Sequence, residues 1–205
     1  MKISKKLISL VAGGLLLANA LTFASELPLT IYDDNYGPDV GEGDWQTQLF
    51  IPDFKNDKSQ GECCIMTGLM ERYGAFAFYF PEGKLSEIKG KKEKVYLTFD
   101  IKFTKKNQQF QLRFVDTDDG TKKNIPWRLA YDMKASDYTV NEWCKVEIPI
   151  SSMNCWGAWS NITNTWTDVG NNEFDFTRVE KLEFAAEEAP ISSKFYIDNI
   201  KIIEK

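Results

Sequence analysis

Residues 94–103 read Lys94-Val95-Tyr96-Leu97-Thr98-Phe99-Asp100-Ile101-Lys102-Phe103, with an apolar side chain at every second position. Successive side chains of a strand point to opposite faces, so Val95, Leu97, Phe99, Ile101 and Phe103 are expected inside and their neighbours outside. The next run repeats the pattern, with Phe110, Leu112 and Phe114 on one face and Gln109, Gln111 and Arg113 on the other. Related segments occur at residues 28–34, 47–52, 62–68, 73–80, 126–132, 143–150, 178–187 and 193–203. Turn formers such as Pro81-Glu82-Gly83 and Asp118-Asp119-Gly120 separate them. A helical period is confined to one turn near Lys84 to Ile88. About ten strands, each with one apolar face, must bury those faces against a second sheet, which predicts an all-β, two-sheet antiparallel sandwich.

Outside the strands the N-terminus stands apart. Lys2, Lys5 and Lys6 precede an apolar run from Leu7 to Leu21, and Ala18-Asn19-Ala20 and Thr22-Phe23-Ala24 offer small-residue cleavage points. This is the layout of a secretory signal peptide over residues 1–24, with a single domain over 25–205. The run is shorter than the ~20 apolar residues that a membrane-spanning helix needs, and no cysteine follows it to carry a lipid. The expected protein is secreted, whether to the periplasm, the cell surface or the medium, and has no membrane span.

Formal net charge is -5, and the only charged residues of the leader are basic, so the exported chain is more acidic still. Nucleic acid is therefore excluded as a natural partner. There is no histidine, which closes the Ser-His-Asp and Cys-His arrangements and removes the commonest metal ligand. Four cysteines, Cys63, Cys64, Cys144 and Cys155, lie in the exported part. Adjacent Cys63 and Cys64 point to opposite faces of a strand, so the first expectation is a Cys144–Cys155 disulfide. Free buried thiols are the alternative.

Two regions break the strand pattern. Residues 33–61 are rich in Asp, Gly, Pro and Asn, and residues 151–173 place Trp156, Trp159 and Trp166 among Ser, Asn, Thr and Gly. Binding surface on a rigid sandwich is commonly carried by such loops.

The closing run Phe195-Tyr196-Ile197-Asp198-Asn199-Ile200-Lys201-Ile202 and the opening run Ile31-Tyr32-Asp33-Asp34 frame a series of short pieces. These are Trp143, Ile148-Pro149-Ile150, Gly157-Ala158-Trp159, Trp166, Phe174-Asp175-Phe176, and Leu182-Glu183-Phe184 with Glu187. In this order they resemble the jelly-roll, galactose-binding-like carbohydrate-binding modules of bacterial polysaccharide-degrading enzymes. The resemblance implies a noncatalytic protein that recognises a poly- or oligosaccharide. Here no catalytic domain is expected beside it.

Sugar recognition needs aromatic faces for pyranose rings and planar polar groups for hydroxyls. The tryptophans Trp156, Trp159 and Trp166 supply the first, and Gln109, Gln111, Arg113, Glu183 and Glu187 the second, with Trp127 or Arg128 beside them depending on register. The competing readings are tryptophans folded back as a plug and ordinary solvated strand faces. If one ligand is served, Trp127, Trp159 and Trp166 should line one cleft with Arg113 or Glu183. The resemblance also implies a structural calcium near the first and last strands, with Asp33, Asp34 and Asp198 as the matching carboxylates; the competing explanation is that Asp198 satisfies backbone groups at a strand crossing.

Two other classes are open to the sequence. A glycoside hydrolase needs two carboxyl groups ~5 to 9.5 Å apart, whereas Glu183 and Glu187 on a straight strand would sit ~13 Å apart. A cross-strand pair such as Asp100 with Glu183 depends on strand order, and a lyase lacks its usual histidine. A structural envelope protein would instead bury its aromatics against other secreted or cell-surface proteins.

Overall fold

A computed structural model describes residues 26–47, 50–53, 58–121, 125–169 and 174–205. The leader expected over residues 1–24 lies outside them. In chain order the strands are β1 (Leu29–Asp33), β2 (Asn35–Tyr36), β3 (Gly41–Thr47), β4 (Phe50–Asp53), β5 (Cys64–Thr67), β6 (Met70–Tyr79), β7 (Val95–Phe103) and β8 (Gln109–Asp116). There follow β9 (Arg128–Lys134), β10 (Cys144–Pro149), β11 (Asn154–Trp156), β12 (Ala158–Ser160), β13 (Thr165–Thr167), β14 (Val179–Ala185) and β15 (Phe195–Glu204). The helical turn expected near Lys84 to Ile88 is the short 3-10 turn Ser86–Ile88.

One sheet runs β10-β7-β15-β1-β2, with β5 joining β15 and β4 joining β5. The other runs β11-β9-β8-β14-β6-β3, and β12–β13 form a separate hairpin. All pairings are antiparallel among the described residues. The jelly-roll sandwich is therefore observed.

The two apolar faces meet as the alternation requires. Val95, Leu97, Phe99, Ile101 and Phe103 are fully buried. Across from them, Phe76 stacks on Phe184 at 4.7 Å, Phe110 stacks on Phe195 at 5.1 Å, and Phe99 meets Phe184 edge-on at 5.8 Å. Burying each such ring contributes about 2–3 kcal/mol, and each well-oriented pair adds about 0.5–1.5 kcal/mol. A second small core lies under the hairpin, where Trp127 packs with Ile125 and Ala158.

Three expectations are corrected. Cys144 and Cys155 are unbonded thiols: Cys144 is on an edge strand of one sheet and Cys155 on an edge strand of the other, so the short sequence separation spans a change of sheet. Residues 33–61 are not all loop, because β3 pairs along β6. The third concerns the carboxylates matched to a calcium site, of which Asp198 is fully buried at a register shift between β15 and β7.

Asp33, Asp34 and Asp198 do not converge. The Asp33 carboxylate takes Lys201 Nζ at 2.9 Å and Gln60 Nε2 at 2.5 Å. Asp34 accepts the backbone N–H groups of Cys63 and Glu62 at 2.9 and 2.8 Å, which hold its carboxyl below the usual range. Asp198 accepts from the Ser59 hydroxyl at 2.8 Å and from the N–H groups of Asn199 and Gln60, yet burial keeps its carboxyl above the usual range. Calcium takes roughly six to eight oxygens, and among the described residues no group of three or more His, Cys, Asp and Glu side chains is placed to hold a metal ion. As placed, these three residues do not fit a calcium site.

Candidate functional site

Register makes a grid of the outer face of the β11-β9-β8-β14-β6-β3 sheet. One row across the strands reads Trp156, Arg128, Val115, Lys181, Tyr79 and Gly41; the next reads Asn154, Ala130, Arg113, Glu183, Ala77 and Gly43. A third reads Asp132, Gln111, Ala185, Ala75 and Trp45. Charged groups thus cluster on β8, β14 and β9, small residues recur on β6 and β3, and Trp156 and Trp45 stand on the two edge strands.

In the middle is an ion network with little solvent contact. Arg113 Nε donates to Glu183 Oε2 at 2.5 Å and Nη1 to Glu187 Oε2 at 2.6 Å. Arg128 Nη1 reaches Glu187 Oε1 at 3.1 Å, and Lys181 Nζ reaches Glu183 Oε1 at 3.0 Å. Burial opposes the charge of Arg113, but Glu183 and Glu187 outweigh it and hold the guanidinium above its ordinary value. Lys181 likewise stays above its ordinary value, Glu183 outweighing burial. Arg128 is pulled down by burial and by Arg113. Burial would raise Glu187, but the two arginines beside it prevail and hold it low.

The straight-strand spacing of Glu183 and Glu187 is not kept. β14 ends at Ala185, the Glu187 N–H turns back to the Ala185 carbonyl, and both carboxylates close on Arg113. They are nonetheless poor hydrolytic partners: a general acid needs a raised pKa, and Glu187 is held low between two cations. Asp100 is in the opposite sheet, paired with β10 and β15, so it makes no pair with Glu183.

Two aromatic walls stand over this floor. On one side Trp159 and Trp166 lie directly opposite each other across the β12–β13 hairpin, each about half exposed. The hairpin is tied down by Ser160 Oγ donating to Asp118 and by Arg128 Nε donating to the Gly157 carbonyl at 2.8 Å, while the Arg128 guanidinium lies 5.1 Å from the Trp166 ring centre. Gly157 allows this approach, since a Cβ there would come within 2.5 Å of the Thr167 carbonyl. On the other side Lys181 Nζ sits 4.9 Å from the Trp45 ring and 5.5 Å from the Tyr79 ring. Trp45 Nε1 donates to the Tyr73 carbonyl at 3.0 Å. Glu71 to Gly74 loop out opposite Gln46, so Tyr73 and Gln46 both adopt left-handed backbone, with φ of 68° and 52°. Such strain in non-glycine residues is often kept where it presents a side chain for function. Walls and floor enclose a cleft of about 870 Å³.

The cleft brings together Arg113, Arg128, Trp159, Trp166, Glu183 and Glu187 from the sequence-derived set. Trp127 is not among its lining, because it is buried beneath the hairpin as a plug. Trp156 shares the sheet face but is outside the cleft lining. Gln109 and Gln111 line a separate hollow. Sequence reasoning missed Trp45, Tyr73, Tyr79 and Lys181. A usable signal was present in Gly41, Gly43, Ala75 and Ala77: small residues on an outer face leave room for rings to lie flat, and a Cβ on Gly43 would meet the Tyr79 ring at 2.9 Å.

Comparison with known proteins agrees with this fold. No curated protein sequence matches the chain. A crystal structure of a family 30 carbohydrate-binding module is 18% identical, with 89% of this chain and 90% of that one covered at a TM-score of 0.63. The family 30 module of the cellulosomal cellulase Cel9D-Cel44B of Clostridium thermocellum is 18% identical over 88% of this chain and 99% of its own, at 0.60. The family 11 module from Clostridium thermocellum, in complex with a β-1,3-1,4-mixed-linked tetrasaccharide, is 16% identical over 88% and 98%, at 0.57. At these identities the structures establish the fold. Residues 67–204 match the family model for carbohydrate binding domain 30, and the chain belongs to that family of noncatalytic carbohydrate-binding proteins.

Proposed function

We propose that the protein is exported and holds a neutral poly- or oligosaccharide in the cleft, with the chain lying between the Trp159/Trp166 pair and the Trp45/Tyr73 wall. The observation that carries this reading is the pair of facing aromatic walls above a polar, pre-paired floor. Rings of the walls would stack on pyranose faces, and outlying N–H groups and carboxylate oxygens would meet hydroxyls. Neutrality follows from the charges of the cleft: among its described lining residues the cations are Arg113, Arg128 and Lys181, and all three already hold Glu183 and Glu187, so none of them is left waiting for a uronate.

The ligand named with the family 11 neighbour makes mixed-linked β-glucan the first probe. Affinity electrophoresis in gels containing β-glucan, xylan or mannan is expected to retard the protein in at least one, and Trp159→Ala to abolish the retardation. Free migration through all of them would overturn the reading. Export is supported by Lys2, Lys5, Lys6 and the Leu7 to Leu21 run; the secreted form should begin at Ser25, as N-terminal mass analysis would reveal.

A further inference from the structure

Beside the cleft, the same sheet face carries a second hollow, and Glu187 borders both. Its polar rim comes from Gln109, Gln111, Asp132, Lys134 and Glu188. Gln109 Nε2 donates to Glu188 at 3.0 Å and Gln111 Nε2 to Asp132 at 3.1 Å. Gln111 Oε1 in turn lies 3.5 Å from Arg113 Nη1, which joins the rim to the ion network of the cleft. The Gln111/Asp132 and Gln109/Lys134 rungs of the β8–β9 ladder succeed the Arg113/Ala130 rung, each step being ~7 Å along the strand.

A rim of amides and carboxylates with Lys134 beside them offers both donors and acceptors, which is what a hydroxyl requires. The hollow has a volume of about 20 Å³, room for one water-sized group and not for a sugar ring. Resting on the glycan reading above, we infer that this hollow receives a hydroxyl or hydroxymethyl group of the sugar residue that lies beyond Arg113 and Glu187. The binding track therefore continues along β8 and β9, and the protein recognises a longer oligosaccharide than its aromatic walls span.

The test is calorimetric titration of the parent protein, Gln109→Ala and Asp132→Ala with mixed-linked gluco-oligosaccharides from disaccharide to hexasaccharide. Gln109 is only partly buried and Asp132 is exposed, so both variants should fold, and thermal melting checks this. The parent should gain affinity with length, and each variant should lose about five- to tenfold on the hexasaccharide while binding the shortest ligand as the parent does. Variants that follow the parent at every length would overturn the inference and leave the cleft reading standing. A parent that binds no oligosaccharide at any length would overturn both.

Discussion

Arg113 and Glu183 are direct cross-strand partners on β8 and β14, joined by a 2.5 Å hydrogen bond, and both are more than nine-tenths buried. A buried charge is costly once its partner is gone. Replacing Arg113 with Met should therefore destabilise the fold by about 3–5 kcal/mol, because Glu183 and Glu187 would lose their shared cation. Urea denaturation measures this loss, and the double variant Arg113→Met/Glu183→Leu should recover part of it. A single variant as stable as the parent would mean that the network contributes little.

The tryptophans divide by location. Trp127 is buried against Ile125 and Ala158, so Trp127→Ala should cost about 3–5 kcal/mol of stability and weaken binding only through the loosened hairpin. Trp156 is half exposed and outside the cleft lining, so Trp156→Ala should leave both melting temperature and glycan affinity close to the parent values. Paired melting and binding measurements on the two variants check this division.

Asp116 should make stability depend on pH. It is buried beside β9, and desolvation, with Asp175 and Asp119 nearby, pushes its carboxyl up to about 7 against the N–H of Thr117 and the charge of Arg178. The folded state then binds more protons than the unfolded one between the unfolded aspartate pKa of about 4 and the folded value, so stability falls as pH rises through that window. The cost is fully present above it and on the order of a few kcal/mol. Asp116→Asn should be more stable than the parent at pH 8 and nearly equal to it at pH 4, as denaturation at the two values would show.

How much of this was legible beforehand follows from the physics of each feature. Period two fixes which residues share a face, so Gln109, Gln111 and Arg113 could be grouped from sequence and the core phenylalanines placed opposite them. Trp45 could not be found this way: β3 is an edge strand whose residues are mostly exposed on both sides, and Gly41 to Thr47 shows no apolar alternation. Tyr73 enters the cleft through a bulge, which periodicity does not mark. The disulfide expectation failed because sequence distance carries no record of a change of sheet between Cys144 and Cys155.

Gly61 lies on the far side of the sandwich from the cleft and provides a control. Its φ is +61°, and a Cβ there would fall 2.2 Å from the Asp34 carboxylate, which the N–H groups of Glu62 and Cys63 hold in place. Gly61→Ala should destabilise by about 1–3 kcal/mol with glycan affinity unchanged in the folded fraction, as measured by denaturation and titration together.

The walls of the cleft should grip the sugar. Isothermal titration of mixed-linked β-glucan into the parent protein and into Trp159→Ala/Trp166→Ala tests it most directly, since both residues are half exposed and their loss should spare the fold. The parent should bind saturably and the double variant at least about thirtyfold more weakly, from about 1–3 kcal/mol per stacked ring. Equal affinity in the two proteins would contradict it.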